Sequence, residues 1–146
     1  MKEVVIYTDG ACSGNPGVGG WAGILIYKDV EKIVSGGNID TTNNRMELFA
    51  IIQSLRCLKE KCRLTIYSDS AYALEPFLKG WISLWTKNNW KTSSGSAVKN
   101  TDLWTALLLE TAKHEITWVK VKGHSDNVYN NRCDEIARSE IKKIQK

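Results

Sequence analysis

Four acidic residues are the part of this 146-residue chain best suited to chemistry: Asp9, Glu47, Asp69 and Asp134. Asp9 follows the apolar, β-branched run 4–8, and Asp69 follows a similar run, 64–68; both read as buried strands. Glu47 falls one turn into a helix that starts within Thr41-Thr42-Asn43-Asn44, and Asp134 falls near the start of a closing helix. Each acid has a simple local explanation. Asp9-Gly10 is a turn dipeptide, and Asn44 to Glu47 has the spacing of a capping box with Glu at the third helical position. Asp69 can cap the helix after Ser70, and Asp134 is a first-turn acid favoured by the helix dipole. Taken together, two strand ends and two helix starts, all acidic, can point at one patch above a sheet. Oxygen-only ligands without a Cys/His cluster suit hard cations, Mg²⁺ or Mn²⁺, rather than zinc. Two such ions about 3.5–4 Å apart can hold a phosphodiester, activating water on one side and stabilising the leaving oxygen on the other. One carboxylate must then bridge both ions, and Asp9, on the central strand, is the candidate.

The remaining chain has to position these groups. Strands are expected over residues 3–9, 21–28 and about 32–38, the short Asp29-Val30-Glu31 link making the last two a hairpin. A helix to about residue 58 carries Met46, Phe49, Ala50, Gln53, Leu55 and Leu58 as its core stripe. A fourth strand, 64–68, leads into a helix over 70–78, which Gly80 ends before a Trp-rich short helix and a Lys/Ser/Gly loop. Residues 102–113 repeat Leu103, Ala106, Leu107 and Glu110 at helical spacing. A fifth strand over 115–121, a loop over 123–129 and a helix over 131–144 complete the chain. The order βββαβα(α)αβα argues for an α/β fold: one domain, 1–146, with a five-stranded mixed sheet and helices on its faces. Functional groups in such sheets gather beyond the carboxyl ends of strands at a switch in strand order. The glycines and proline between Gly10 and Gly20 predict a tight turn that leaves Asp9 uncrowded.

An apolar fraction of 42% and a charged fraction of 25% are ordinary for a soluble globular domain. No run of 18 apolar residues exists to span a membrane, and the N-terminus shows no signal-peptide pattern, so a cytoplasmic location is expected. Cys12, Cys57, Cys62 and Cys133 fit neither a paired CxxC zinc site nor a small disulfide scaffold, and reduced thiols are expected. The net charge of +4 leans toward polyanionic partners, unevenly. From Pro76 to Thr101 there is no Asp or Glu, while Lys79, Lys87, Lys91 and Lys99 lie there with Trp81, Trp85 and Trp90. His124, in a polar loop flanked by Gly123, could shuttle protons or help product leave. His114, between a helix and a strand, reads as structural.

The segments YTDGACSGNPGVGGW, TTNNRMEL, YSDSAY, VKNTDLW and VKGHSDNVYNNRCDEIA, in this order between about residues 3 and 143, resemble type 1 ribonuclease H of the bacterial kind. The resemblance implies a strand order 3-2-1-4-5 and makes Asp9, Glu47, Asp69 and Asp134 metal-binding, catalytic carboxylates. It implies cleavage of the RNA strand of RNA·DNA hybrids with two Mg²⁺ ions, Mn²⁺ being a possible substitute, leaving 5′-phosphate and 3′-hydroxyl ends. His124 would serve as the auxiliary catalytic residue. An enzyme of this kind must sense 2′-hydroxyls, which a hybrid offers across a wide, shallow minor groove. Cys12, Asn15, Asn43 and Asn44 match the minor-groove contacts, and Thr42 and Asn100 match a DNA-phosphate pocket. Trp81, Trp85, Trp90 and the four lysines resemble a basic protrusion that grips the DNA strand, with Trp81 expected at the surface and Trp85 buried. Ala71 stands in place of a common Gln, Asn131 in place of a common Glu, and Asp126 is an added acid. A monomer without an obligate protein partner is expected. A DNA nuclease of related fold and a non-catalytic nucleic-acid module are the alternatives; a small-molecule enzyme finds no GxGxxG or P-loop here.

Overall fold

The computed structural model describes residues 1–122 and 127–146. The chain opens with β1 (Lys2–Cys12), β2 (Gly17–Tyr27) and β3 (Val30–Thr41), followed by α1 (Asn43–Arg56) and β4 (Cys62–Ser68). Then come α2 (Ala71–Leu78), α3 (Trp81–Lys87), α4 (Thr101–Thr111), β5 (Glu115–Lys120) and α5 (Val128–Gln145). The strands form one sheet in the order β3-β2-β1-β4-β5, as expected. β1 pairs antiparallel with β2 and parallel with β4; β2–β3 is antiparallel and β4–β5 parallel. β1 is therefore the strand where the meander meets the parallel half.

The period-2 pattern of β1 sorts its side chains between two layers. Val4 and Ile6 join Leu64 and Ile66 of β4 beneath α1, α2 and α4, where Leu48, Ile51, Ile52, Leu55, Leu74, Trp104 and Leu107 are fully buried or nearly so. Tyr7 and Ala11 face the other way, with Ala22 and Ile24 of β2, against Cys133 and Ala137 of α5. Of the stripe expected on α1, Met46, Ala50 and Leu55 are buried and Phe49, Gln53 and Leu58 half-buried, while Leu48, Ile51 and Ile52 also fill the core.

The first three strands run longer than expected, and the glycine-rich stretch is strand rather than turn. β1 continues to Cys12 and β2 begins at Gly17, so the reversal itself is confined to residues 13–16, where the Asn15–Pro16 bond is cis. Glycine is used here because helices cross the sheet at backbone distance. A Cβ on Gly10 would overlap the Met46–Glu47 peptide of α1, and one on Gly20 would overlap the Ala137 carbonyl of α5. α5 also starts earlier than expected, at Val128, with the Asn127 side chain accepting from the Asn130 amide at 2.9 Å as its cap. All four cysteines are free thiols. His114 has the structural role expected of it, its Nδ1 accepting from the Cys62 amide at 3.1 Å.

Candidate active site

The parallel register of β1 and β4 runs up to Tyr7↔Tyr67. Two further residues on each chain bring Asp9 opposite Asp69, just past the last residue of β4. Asp9 is thus not at the end of its own strand, since it still pairs with Ala22 of β2, but it lies beyond the end of the parallel half of the sheet. That is the switch point where an open α/β sheet presents functional groups. Gly10 lets α1 settle onto β1, and Glu47 arrives beside Asp9 as a result. One carboxylate oxygen from each of Asp9, Glu47 and Asp69 falls within 4.8 Å of the others.

The local explanations for these acids fail one by one. Thr42, not Asn44, caps α1, its Oγ1 accepting from the Arg45 amide at 3.2 Å, so Glu47 lies too far into the helix to cap it. Ser70, not Asp69, caps α2, accepting from the Ala73 amide at 3.1 Å. Asp134 is in the second turn of α5, past the turn where the helix dipole is strongest. Asp134 does not belong to the close trio; it lines the same cleft from the α5 side and pairs with Arg138 one turn on.

Burial pushes the Asp9 carboxyl up to about 8, with Asp69 and Asp134 adding like charge and the Gly10 amide opposing them. Burial likewise raises Glu47 well above the ordinary carboxylate range, with Asp9 and Asp69 contributing. Glu47 Oε1 has no hydrogen-bond partner among the described residues. Packed, partly unpartnered carboxylates without an internal cation are costly unless an external one neutralises them. The donor set fits a hard, oxygen-seeking divalent ion. The cleft that Asp9, Glu47, Asp69 and Asp134 share with Cys12, Asn43, Asn130 and Asn131 measures about 280 Å³, several times the roughly 30 Å³ share of one water.

Cys12 and Asn43 line this cleft directly, and the Asn15 Oδ1 accepts from the Asn43 amide at 3.1 Å, tying the loop after β1 to the start of α1. Asn44 is exposed next to them. Arg45 joins Thr42 to Asn100: its amide reaches Thr42, and its Nη1 donates to Asn100 Oδ1 at 3.1 Å. Asp102 grips the same guanidinium through both oxygens at 3.0 and 2.7 Å, which holds its own carboxyl down at about 2. Asn100 completes its network by donating to the Tyr72 hydroxyl at 2.9 Å. Trp81 lies apart from the carboxylates, in a groove of about 630 Å³ shared with Trp85, Lys87 and Lys91. It is exposed as expected, with Lys79 over its ring; Trp85 is half-buried rather than buried, edge-on to Trp104 at 5.5 Å. His124 and Asp126 lie outside the described residues. Gly10, read from the sequence as a turn residue, shapes the cleft by admitting α1, and Asn130, one turn ahead of Asp134, is not singled out by the sequence pattern at all.

The sequence model of the family described as RNase H matches residues 1–142. The chain belongs to the ribonuclease H family. It is 60% identical over 146 residues to a ribonuclease H of Acetivibrio thermocellus, spanning all of this chain and 99% of that protein. It is 58% identical to a ribonuclease H of Chlorobium luteolum, spanning 98% of each chain. Among solved structures, it is similar to a type 1 ribonuclease H described as carrying the type 2 active-site motif. The TM-score there is 0.88 at 27% identity, covering 98% of this chain and 74% of that one. The sheet order is thus that of a ribonuclease H, a metal-dependent nuclease, and the carboxylate trio is compatible with such an enzyme.

Proposed function

We propose that this ribonuclease H is an endoribonuclease acting on the RNA strand of RNA·DNA hybrids, leaving 5′-phosphate and 3′-hydroxyl ends. The observation that carries the reading is the convergence of Asp9, Glu47 and Asp69 from three different elements within 4.8 Å, in a chain of this family. Asp9, Glu47, Asp69 and Asp134 would hold two Mg²⁺ ions with substrate, Mn²⁺ being a workable substitute. When bound, the ions supply an activated water and charge stabilisation at the leaving oxygen. Everything else is done by the protein's own groups. Asp9, which feels both Asp69 and Asp134, would be the ligand shared by the ions. Cys12 and Asn43 line the cleft, Asn15 is hydrogen-bonded to Asn43 and Asn44 is exposed beside it, and these short polar side chains are proposed to meet the shallow minor groove.

Thr42 and Asn100, linked through Arg45, form the receiver for a phosphate of the DNA strand, a contact that sets register without reading sequence. Trp81 with Lys87 and Lys91 extends the track for that strand. His124 is assigned the auxiliary task of carrying a proton or easing product departure. The enzyme is proposed to work in the cytoplasm as a monomer, without an obligate protein partner.

A panel of labelled RNA·DNA hybrid, double-stranded RNA, double-stranded DNA and single-stranded RNA, with Mg²⁺ or Mn²⁺, tests this reading. Hybrid should be cut on its RNA strand alone, and Asp9→Asn should abolish cutting while the fold is kept. Cleavage of double-stranded DNA as fast as hybrid would overturn the substrate assignment, and an active Asp9→Asn enzyme would overturn the bridging role.

A further inference from the structure

Asn130 is the third residue of α5 and is 3% exposed. Its Oδ1 is buried with no hydrogen-bond partner among the described residues, and the residue lines the carboxylate cleft. A buried amide oxygen without a donor is rare in a folded protein and calls for a specific account. Its setting narrows the choice. The backbone around it is held firmly: the Asn130 amide is capped by the Asn127 side chain at 2.9 Å, and Cys133 donates to the Tyr7 carbonyl at 3.3 Å. The orphan oxygen is therefore not produced by a loose helix end. Asp134 lies four residues on, so both side chains project from one face of α5.

The cleft that receives them is lined by Asp9, Glu47 and Asp69, with Cys12, Asn43 and Asn131 also on its wall, and none of these donates to the Asn130 oxygen. Carboxylates are acceptors and offer this amide oxygen no hydrogen bond. It is well placed only if donors or positive charge come to stand between.

We propose that Asn130 is a positioning residue of the carboxylate site. Its Oδ1 accepts a hydrogen bond from the hydration shell of a divalent cation held by the acids on their α5 side. The inference rests on the reading of those acids as cation ligands. Asn130 thereby orients the hydrated ion without ligating it, and it shares with Asp134 the work of defining the α5 wall of the site. Groups that order a bound ion from outside its ligand set commonly alter affinity by about 10–100-fold when removed.

The test is cation binding to the substrate-free protein, with Mn²⁺ followed by electron paramagnetic resonance and Mg²⁺ by calorimetry. Asn130→Leu has nearly the same shape but no acceptor, and it should weaken binding by about tenfold. Its melting temperature in EDTA should be no lower than wild type, because the orphan oxygen is gone. Asn130→Asp, which keeps an acceptor in place, should restore binding. If Asn130→Leu does not fold, Asn130→Ala serves the same comparison. Wild-type affinity in whichever of these variants folds overturns the proposal. So does loss of melting temperature in EDTA with no loss of affinity, which marks a structural role. Asp9→Asn separates the two layers of the argument. If it abolishes binding while Asn130→Leu does not, only the Asn130 role falls; if neither has an effect, the cation site itself falls.

Discussion

Asp9 is 5% exposed and has Asp69 and Asp134 as charged neighbours. Burial and like charge both disfavour its ionised form, so without a cation it titrates at about 8 rather than the ordinary 3.8. The unfolded chain keeps the ordinary value, so over the interval between the two the folded state binds the extra proton. The stability that Asp9 contributes is complete below the unfolded value and is lost as pH climbs through the folded one. Glu47 acts in the same direction. In EDTA the protein should therefore be less stable near pH 8 than near pH 6. Asp9→Asn, neutral throughout, should be more stable than wild type near pH 8 by about 1–3 kcal/mol, the gap closing toward lower pH. Saturating Mg²⁺ should reverse the order if, as proposed, Asp9 is a metal ligand, since the cation would then bind the folded wild type and not the variant. Thermal melts across pH, with and without Mg²⁺, check this. A variant less stable than wild type at pH 8 in EDTA would contradict it.

Elements carry the acids to one place, and glycine sets how closely the elements approach. Gly20 has Ala137 of α5 directly above it. Gly20→Ala should lift α5 and destabilise the fold by about 1–3 kcal/mol, as overpacking does. Because α5 carries Asp134 and not the Asp9–Glu47–Asp69 trio, cation affinity should fall but not vanish. Gly95, with φ +87° and open space around it, is the control: Gly95→Ala adds backbone strain of about 1–2 kcal/mol and should leave cation affinity alone. Calorimetric titration with Mg²⁺ and thermal melts of both variants decide it, and equal affinities for Gly20→Ala and wild type would refute the α5 argument.

The same glycines explain what could be read in the sequence and what could not. Strand and helix order is legible in the apolar runs, and the four acids stand out at their ends. The stretch from Gly10 to Gly20 reads as a turn because glycine is a local turn signal, whereas only residues 13–16 turn and Gly10 and Gly20 lie under helix backbones passing overhead. The cap of α1 is misread for a related reason: Asn44-x-x-Glu47 satisfies a local pattern, but Thr42 reaches the Arg45 amide first. Asn130 is invisible for the same reason, since an unpartnered oxygen exists only relative to its tertiary surroundings.

Over the whole molecule, charge is divided between two regions. The carboxylates sit at the switch point of the sheet, and the stretch from Pro76 to Thr101 carries four lysines without a single acid. The net charge of +4 understates this separation, because the acids line a cleft of their own while Lys87 and Lys91 are exposed around an open groove. A duplex lying across both regions would release counterions chiefly at the lysines, and each phosphate neutralised adds about 0.7–0.9 to the slope of log affinity against log salt. Binding of hybrid to an inactive Asp9→Asn protein, measured in Ca²⁺ over a range of salt, should therefore weaken steadily. Removing Lys87 and Lys91 together should reduce the slope by about 1.4–1.8. In the active enzyme the same double substitution should raise KM and leave kcat close to wild type if, as proposed, these lysines only position the duplex. An unchanged salt slope would show that the groove with Trp81 does not meet the nucleic acid, and a fall in kcat at saturating hybrid would place the lysines nearer the chemistry than the fold allows.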